Sequence, residues 1–116
     1  MITVVLPIPP STNNLYQNGT RGRYRSQEYD NWIEEAIYRL GQQKIRDVII
    51  GAYAMEIKVP MKLRGDISNR IKAPEDLLVK QGLTPDDKHA FKVSIERNAD
   101  VTECEVRVWS IKTGAA

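Results

Sequence analysis

From Tyr53 to Val59 the chain sets Tyr53, Met55, Ile57 and Val59 in alternation with Ala54, Glu56 and Lys58. A period of two places the apolar residues on one face of a strand. Such a strand needs neighbours at its edges and a second layer over its apolar face. Ile2 to Leu6 is a β-branched run stopped by Pro7, Pro9 and Pro10, so it reads as a strand that delivers the chain into a loop. Phe91, Val93 and Ile95 alternate with polar residues, Asn98 to Asp100 turn the chain, and Cys104, Val106 and Val108 alternate again. These last two runs are expected to pair as a hairpin.

The covering layer comes from two amphipathic segments. Ser26 is placed to cap a helix in which Tyr29, Trp32, Ile33, Ala36, Ile37 and Leu40 recur at spacings of three and four, with Gly41 as its stop. Its other face carries Glu28, Asp30, Glu34, Glu35 and Arg39. Ile71, Pro74, Leu77 and Leu78 mark a second helix ending near Gly82. Proline inside a helix costs about 3 kcal/mol but is favoured in the first turn, so Pro74 predicts a start or a kink. Glu75 and Asp76 then suit the positive end of the helix dipole. The expected fold is α/β of the α+β type, a mixed four-stranded sheet flanked by two helices in the order β-α-β-α-β-β. A chain of 116 residues without internal repeats is expected to form one domain, 1–116.

Between the first strand and the first helix, Pro7 to Arg25 reads as one long loop rich in Pro, Asn, Gly and Arg. Loops of that length are uncommon in compact domains unless they act or lack order. Arg21, Arg23 and Arg25 stand in it with no acidic residue from Thr12 onward, which suits phosphate contact or an ordinary solvated loop. Lys62, Arg64, Arg70 and Lys72 form a second basic stretch opposed only by Asp66. The whole chain is only mildly basic, at +2. Cys104, the single cysteine, excludes an intrachain disulfide and a multi-cysteine zinc site. No apolar run suggests a signal peptide or a membrane span. A soluble protein of the cytoplasm is expected.

The segment richest in chemistry runs Arg64-Gly65-Asp66-Ile67-Ser68-Asn69-Arg70-Ile71-Lys72, with Asp86-Asp87 following in a turn. Two separated acidic spots flanked by cations suit a site that holds a hard metal ion and a phosphodiester together. The same residues also fit plain structural duties: Asp66 as a helix cap, Asp86-Asp87 as turn formers after Thr84-Pro85. His89 alone cannot build a histidine metal site. A glycine-rich phosphate loop, a serine-histidine-aspartate set and a nucleophilic cysteine motif are all missing.

Leu6-Pro7-Ile8-Pro9-Pro10-Ser11-Thr12-Asn13-Asn14-Leu15-Tyr16 resembles the opening of the RusA family of Holliday junction resolvases, a strand running into a Pro-Pro-Ser-x-Asn-x-x-Tyr-like element. That family's Asp-x-Asp-Asn-x-x-Lys signature is matched at Asp66, Asn69 and Lys72, and its later Gly-x-x-x-Asp-Asp at Gly82, Asp86 and Asp87. The likeness spans almost the whole chain in the right order. It implies a homodimeric endonuclease of a bacterial or phage-infected cell that nicks opposed strands of four-way junction DNA. It also implies magnesium, with manganese as a substitute, and no organic cofactor or membrane partner.

By position, Asp66 and Asp87 correspond to catalytic metal-binding carboxylates and Lys72 to the cation on the scissile phosphate. Asn13, Asn14, Tyr16, Arg21, Arg23, Arg25, Arg64, Asn69, Arg70 and Lys72 are the expected DNA contacts. One position departs from the pattern: Ser68 stands where the family has its second aspartate. Either Ser68 ligates through water, or Asp86 or another acid substitutes, or the site is weakened and the protein binds junctions without cutting them. Asp76, four residues after Lys72, is expected to be its salt-bridge partner.

Overall fold

The computed structural model describes residues 1–112; positions 113–116 of the expected domain lie outside the described residues. In chain order the elements are β1 (Ile2–Leu6), β2 (Tyr16–Gly19), β3 (Gly22–Arg25), α1 (Gln27–Gln43), β4 (Tyr53–Pro60), α2 (Lys72–Lys80), β5 (Ala90–Asn98) and β6 (Cys104–Ser110). Short 3-10 turns lie at Thr12–Asn14, Ile67–Arg70 and Asp87–His89. Four strands build one mixed sheet in the order β1-β6-β4-β5, while β2 and β3 pair separately. The expected α+β class, with a mixed four-stranded sheet and two helices, is what the chain adopts.

The expected hairpin between the last two strands does not form. β5 runs parallel to β4, and β6 runs antiparallel along the other side of β4. Burial explains the insertion, because Tyr53, Ala54, Met55, Ile57 and Val59 of β4 are all buried and gain from a neighbour on each edge. β5, with Phe91 63% exposed, suits an outer position. Ala99 to Glu103 link β5 to β6; two interstrand spacings are roughly 10 Å, and five extended residues reach about 17 Å.

β1 forms the other edge, and α1 shields it. Gln43 accepts a hydrogen bond from Val5 N at 2.7 Å and donates one to Val5 O at 2.8 Å, satisfying edge groups that would otherwise recruit another strand. The same side chain donates to Arg39 O at 2.9 Å. That anchorage explains why α1 runs past Gly41, the expected stop, to Gln43, where Lys44 closes it at a left-handed φ of 53°. At its start Ser26 accepts from Tyr29 N at 3.0 Å, as expected for a cap. Tyr29, Trp32, Ala36 and Leu40 are buried, whereas Ile37 is exposed at the margin of the stripe. Trp32 donates its indole N–H to Pro7 O at 2.9 Å, fixing the proline segment to the helix.

α2 begins two residues before Pro74, so the proline falls in the first turn, where a missing N–H costs no intrahelical bond. It marks a start and not a kink. The helix closes when Gly82, at φ 75°, lets its N–H reach Val79 O and that of Leu83 reach Leu78 O, each at 3.0 Å. This pair of reversed bonds is the Schellman arrangement. Among the described residues no helix is long and apolar enough to cross a membrane.

The long loop expected from Pro7 to Arg25 is also corrected. After the 3-10 turn at Thr12–Asn14 it folds into the β2-β3 hairpin, with Tyr16 opposite Arg25 and Gly19 opposite Gly22. Gly22 takes φ 107°, open to glycine at little cost. All its residues but Tyr16 are exposed, so no buried face imposes the alternation by which strands are recognised.

Candidate active site

Two motifs far apart in sequence meet at the end of β4. Thr12 donates its hydroxyl to Asn69 O at 2.9 Å, and Arg70 donates to Pro9 O at 2.7 Å and to Arg64 O at 3.3 Å. The proline-rich element therefore docks against the 3-10 turn Ile67–Arg70 that follows Asp66. Arg97 of β5 braces the preceding loop by donating to the carbonyls of Met61, Leu63 and Gly65. Asp66 precedes the turn, exposed, and makes no capping hydrogen bond with its side chain. Asp66 holds the N-cap position of that turn through its backbone, its carbonyl accepting from Asn69 N at 3.1 Å, while its carboxylate is left out of the cap. Ser68 is exposed on the same turn.

Lys72 opens α2 and turns its ammonium toward two carboxylates, 3.2 Å from Asp76 Oδ1 and 3.7 Å from Asp87 Oδ2. The first contact is the i,i+4 partnership expected of Asp76. Asp87 arrives from the turn before β5, where Asp86 accepts from Lys88 N at 3.1 Å and is held below its ordinary carboxylate range by that bond. Glu75, Asp76 and Asp87 each bring a carboxylate oxygen within 4.8 Å of the other two. Glu75 is raised by burial and then by the negative charge of Asp87. Lys72 is raised chiefly by its hydrogen bond to Asp76, so it stays charged at neutral pH.

Near these groups lies Tyr53, fully buried, with its hydroxyl beside that of Thr84. Burial, and then the charges of Glu75, Asp87 and Asp86, push its phenol up to about 12. Thr84 is buried too, and its hydrogen bond draws the phenol back down. The donor set is all carboxylate oxygen, which suits a hard divalent cation better than a soft one.

The structure thus gathers Asp87 with Lys72, as expected, and adds Glu75 and Asp76; Asp66 and Ser68 do not join the carboxylate group. Glu75 was legible only as a helix-start acid. Its i,i+3 spacing from Lys72 puts both on one helical face, the one signal that points to the site.

The basic residues distribute unevenly. Arg21 lies exposed at the hairpin tip. The Arg23 guanidinium rests 3.9 Å from the Tyr16 ring centroid, and Tyr16 meets Tyr29 edge-on at 5.8 Å. Arg25 pairs with Asp30 at 2.8 Å. Asn13 and Asn14 are exposed on the 3-10 turn and Arg64 on the loop before Asp66. Asn69 and Arg70 are half-buried, with the Arg70 donors committed to backbone carbonyls.

The family model described as endodeoxyribonuclease RusA matches residues 7–109, a span that includes every residue of this site. No curated protein matches the chain.

Proposed function

The chain belongs to the RusA endodeoxyribonuclease family, and from that premise we propose that it is a magnesium-dependent endonuclease that resolves four-way DNA junctions by paired symmetric nicks. The observation that carries this reading is the Lys72 ammonium held between the Asp76 and Asp87 carboxylates beside Glu75. A cation and a cluster of anionic oxygens at one spot match a scissile phosphate and its metal.

Asp87 and Asp66 are the proposed catalytic carboxylates, with the oxygen set around Asp87 holding the cation. Magnesium bound there would lower the pKa of a water and offset charge on the phosphodiester. Lys72 binds the phosphate and stabilises the negative charge that builds on its non-bridging oxygens as water attacks and the ester bond breaks. The β2-β3 hairpin, with Arg21 and Arg23, grips backbone phosphates at a distance from the cut and reads shape more than sequence. Two matched cuts call for one active site per subunit of a two-fold dimer.

A synthetic four-way junction incubated with magnesium tests the proposal. Paired opposed nicks that disappear in Asp66→Asn and Asp87→Asn support it. Tight junction binding without nicks, in magnesium or manganese, would instead make the protein a junction binder that has lost its chemistry. Equal affinity for linear duplex would remove the junction preference.

A further inference from the structure

We infer that Tyr24 is a stacking platform for an unstacked DNA base, presented on the outward face of the β2-β3 hairpin. This rests on the junction-binding reading above and names one contact by which the hairpin would hold its substrate.

The register of the hairpin divides its side chains between two faces. Tyr16, Asn18, Arg23 and Arg25 share one, and Gln17, Gly19, Gly22 and Tyr24 share the other. The first face turns toward α1: Tyr16 meets Tyr29 edge-on, Arg23 lies over the Tyr16 ring, and Arg25 pairs with Asp30. The second face therefore looks outward. It carries no charge, and its one large side chain, Tyr24, is 52% exposed.

The second observation concerns Gly19. A Cβ at this position would stand 2.8 Å from Tyr24 Cε1, closer than side chains tolerate. Its φ lies outside the left-handed region, so the backbone does not call for glycine there. What the glycine supplies is room for the ring, which rests against the strand and leaves about half of the residue open to solvent. A ring seated in this way has little freedom left to lose when it stacks. Arg21, Arg23 and Arg25 stand around it, with no acid from Thr12 to Arg25. Cations interleaved with an aromatic suit a nucleic acid, the cations taking phosphates and the ring a base. The hairpin grows from the Thr12–Asn14 turn, which is bonded to Asn69 O, so the platform is tied to the segment that follows Asp66. The base it fits is one at the branch point, where stacking is already interrupted and a base is exposed at least cost.

A ring over a strand glycine also steadies a hairpin, and Tyr24→Leu keeps that cover while removing the stacking surface. The test measures the affinity of the full chain for a synthetic four-way junction and for linear duplex, with Ca2+ in place of magnesium to hold off cleavage. Tyr24→Leu is expected to weaken junction binding about fivefold or more, with duplex affinity, salt slope and Tm close to the parent values. Tyr24→Phe, which keeps the ring, should stay within about twofold of the parent protein. Junctions made abasic at one branch-point position at a time supply the second arm. At one position the missing base should weaken the parent protein as much as Tyr24→Leu does, and should cost that variant nothing more. Unchanged junction affinity in Tyr24→Leu, losses that add in full at every abasic position, or a loss shared equally by duplex and matched by a fall in Tm would overturn the inference and leave the nuclease reading standing. A parent protein that binds the junction no better than duplex would sink the junction reading and this inference together.

Discussion

The Lys72 ammonium stands 3.7 Å from the Asp87 carboxylate, joining the first turn of α2 to the turn that launches β5. The two residues sit at opposite ends of the crossover between the parallel strands β4 and β5, so the contact depends on the whole unit being folded. Both side chains are close to half exposed, and an ion pair in that setting adds little to stability. Its purpose is better sought in chemistry. Lys72→Met is expected to lower junction cleavage by about 10²- to 10³-fold, the usual cost of deleting a positioned transition-state donor. Its Tm should move by no more than a few degrees, for a loss of about 1 kcal/mol or less. Single-turnover cleavage with a parallel thermal melt checks both, and a loss of cleavage that merely tracks unfolding would assign Lys72 to structure.

Arg23 is held in place by Tyr16, and Tyr16 by the buried Tyr29. A guanidinium stacked on an aromatic ring keeps its N–H edges for a phosphate. Arg23→Ala is therefore expected to weaken junction binding and to reduce the slope of log affinity against log salt by about one. Titrations at several salt concentrations measure it. An unchanged slope would take the hairpin out of the DNA interface.

Where a buried face imposed a period, the sequence was easy to read: β4 and α1 announce themselves through Met55, Ile57, Trp32 and Ala36, all buried. The hairpin Tyr16–Arg25 and the order of β5 and β6 were not legible, for different reasons. The hairpin buries almost nothing, and its register rests on backbone bonds and Gly22. The sheet order depends on which edge of β4 each strand takes, a choice made by the crossover through α2 and invisible to local pattern. Of the site, Asp87 and Lys72 could be found because they sit in recognisable motifs. Glu75 could not, because its proximity to Asp87 is created only when the turn before β5 closes on α2.

Burial raises both the Cys104 thiol and the Tyr29 phenol to about 12. In the unfolded chain these groups release their protons near pH 8.5 and 10, respectively. The folded state therefore holds protons that the unfolded chain gives up. Their stabilising contribution is complete below about pH 8.5 and is lost as pH rises toward 12. Between roughly pH 8.5 and 10 the thiol alone should lower stability by up to about 1.4 kcal/mol per pH unit. Urea unfolding across that range should show the decline, and Cys104→Ala, less stable throughout, should show a shallower one. Equal slopes would mean that the thiol ionises freely in the folded protein.

Arg70 stands in the most basic stretch of the chain, yet its guanidinium donates to Pro9 O at 2.7 Å and to Arg64 O at 3.3 Å. Pro9 is buried, so its carbonyl has limited access to water once the donor is gone. A charge-assisted hydrogen bond of this kind is worth about 1.5–3 kcal/mol. Arg70→Ala should thus destabilise the protein by roughly 2 kcal/mol, a fall in Tm of about 5–10 °C for a domain of this size. The loss is structural, so the salt slope of junction binding should match that of the parent protein when both are measured well below their melting temperatures. Asp66 follows directly on the loop that Arg70 and Arg97 brace together, and cleavage should fall more than binding does. A reduced salt slope with Tm intact would show the opposite: that Arg70 leaves Pro9 for a phosphate when DNA is bound.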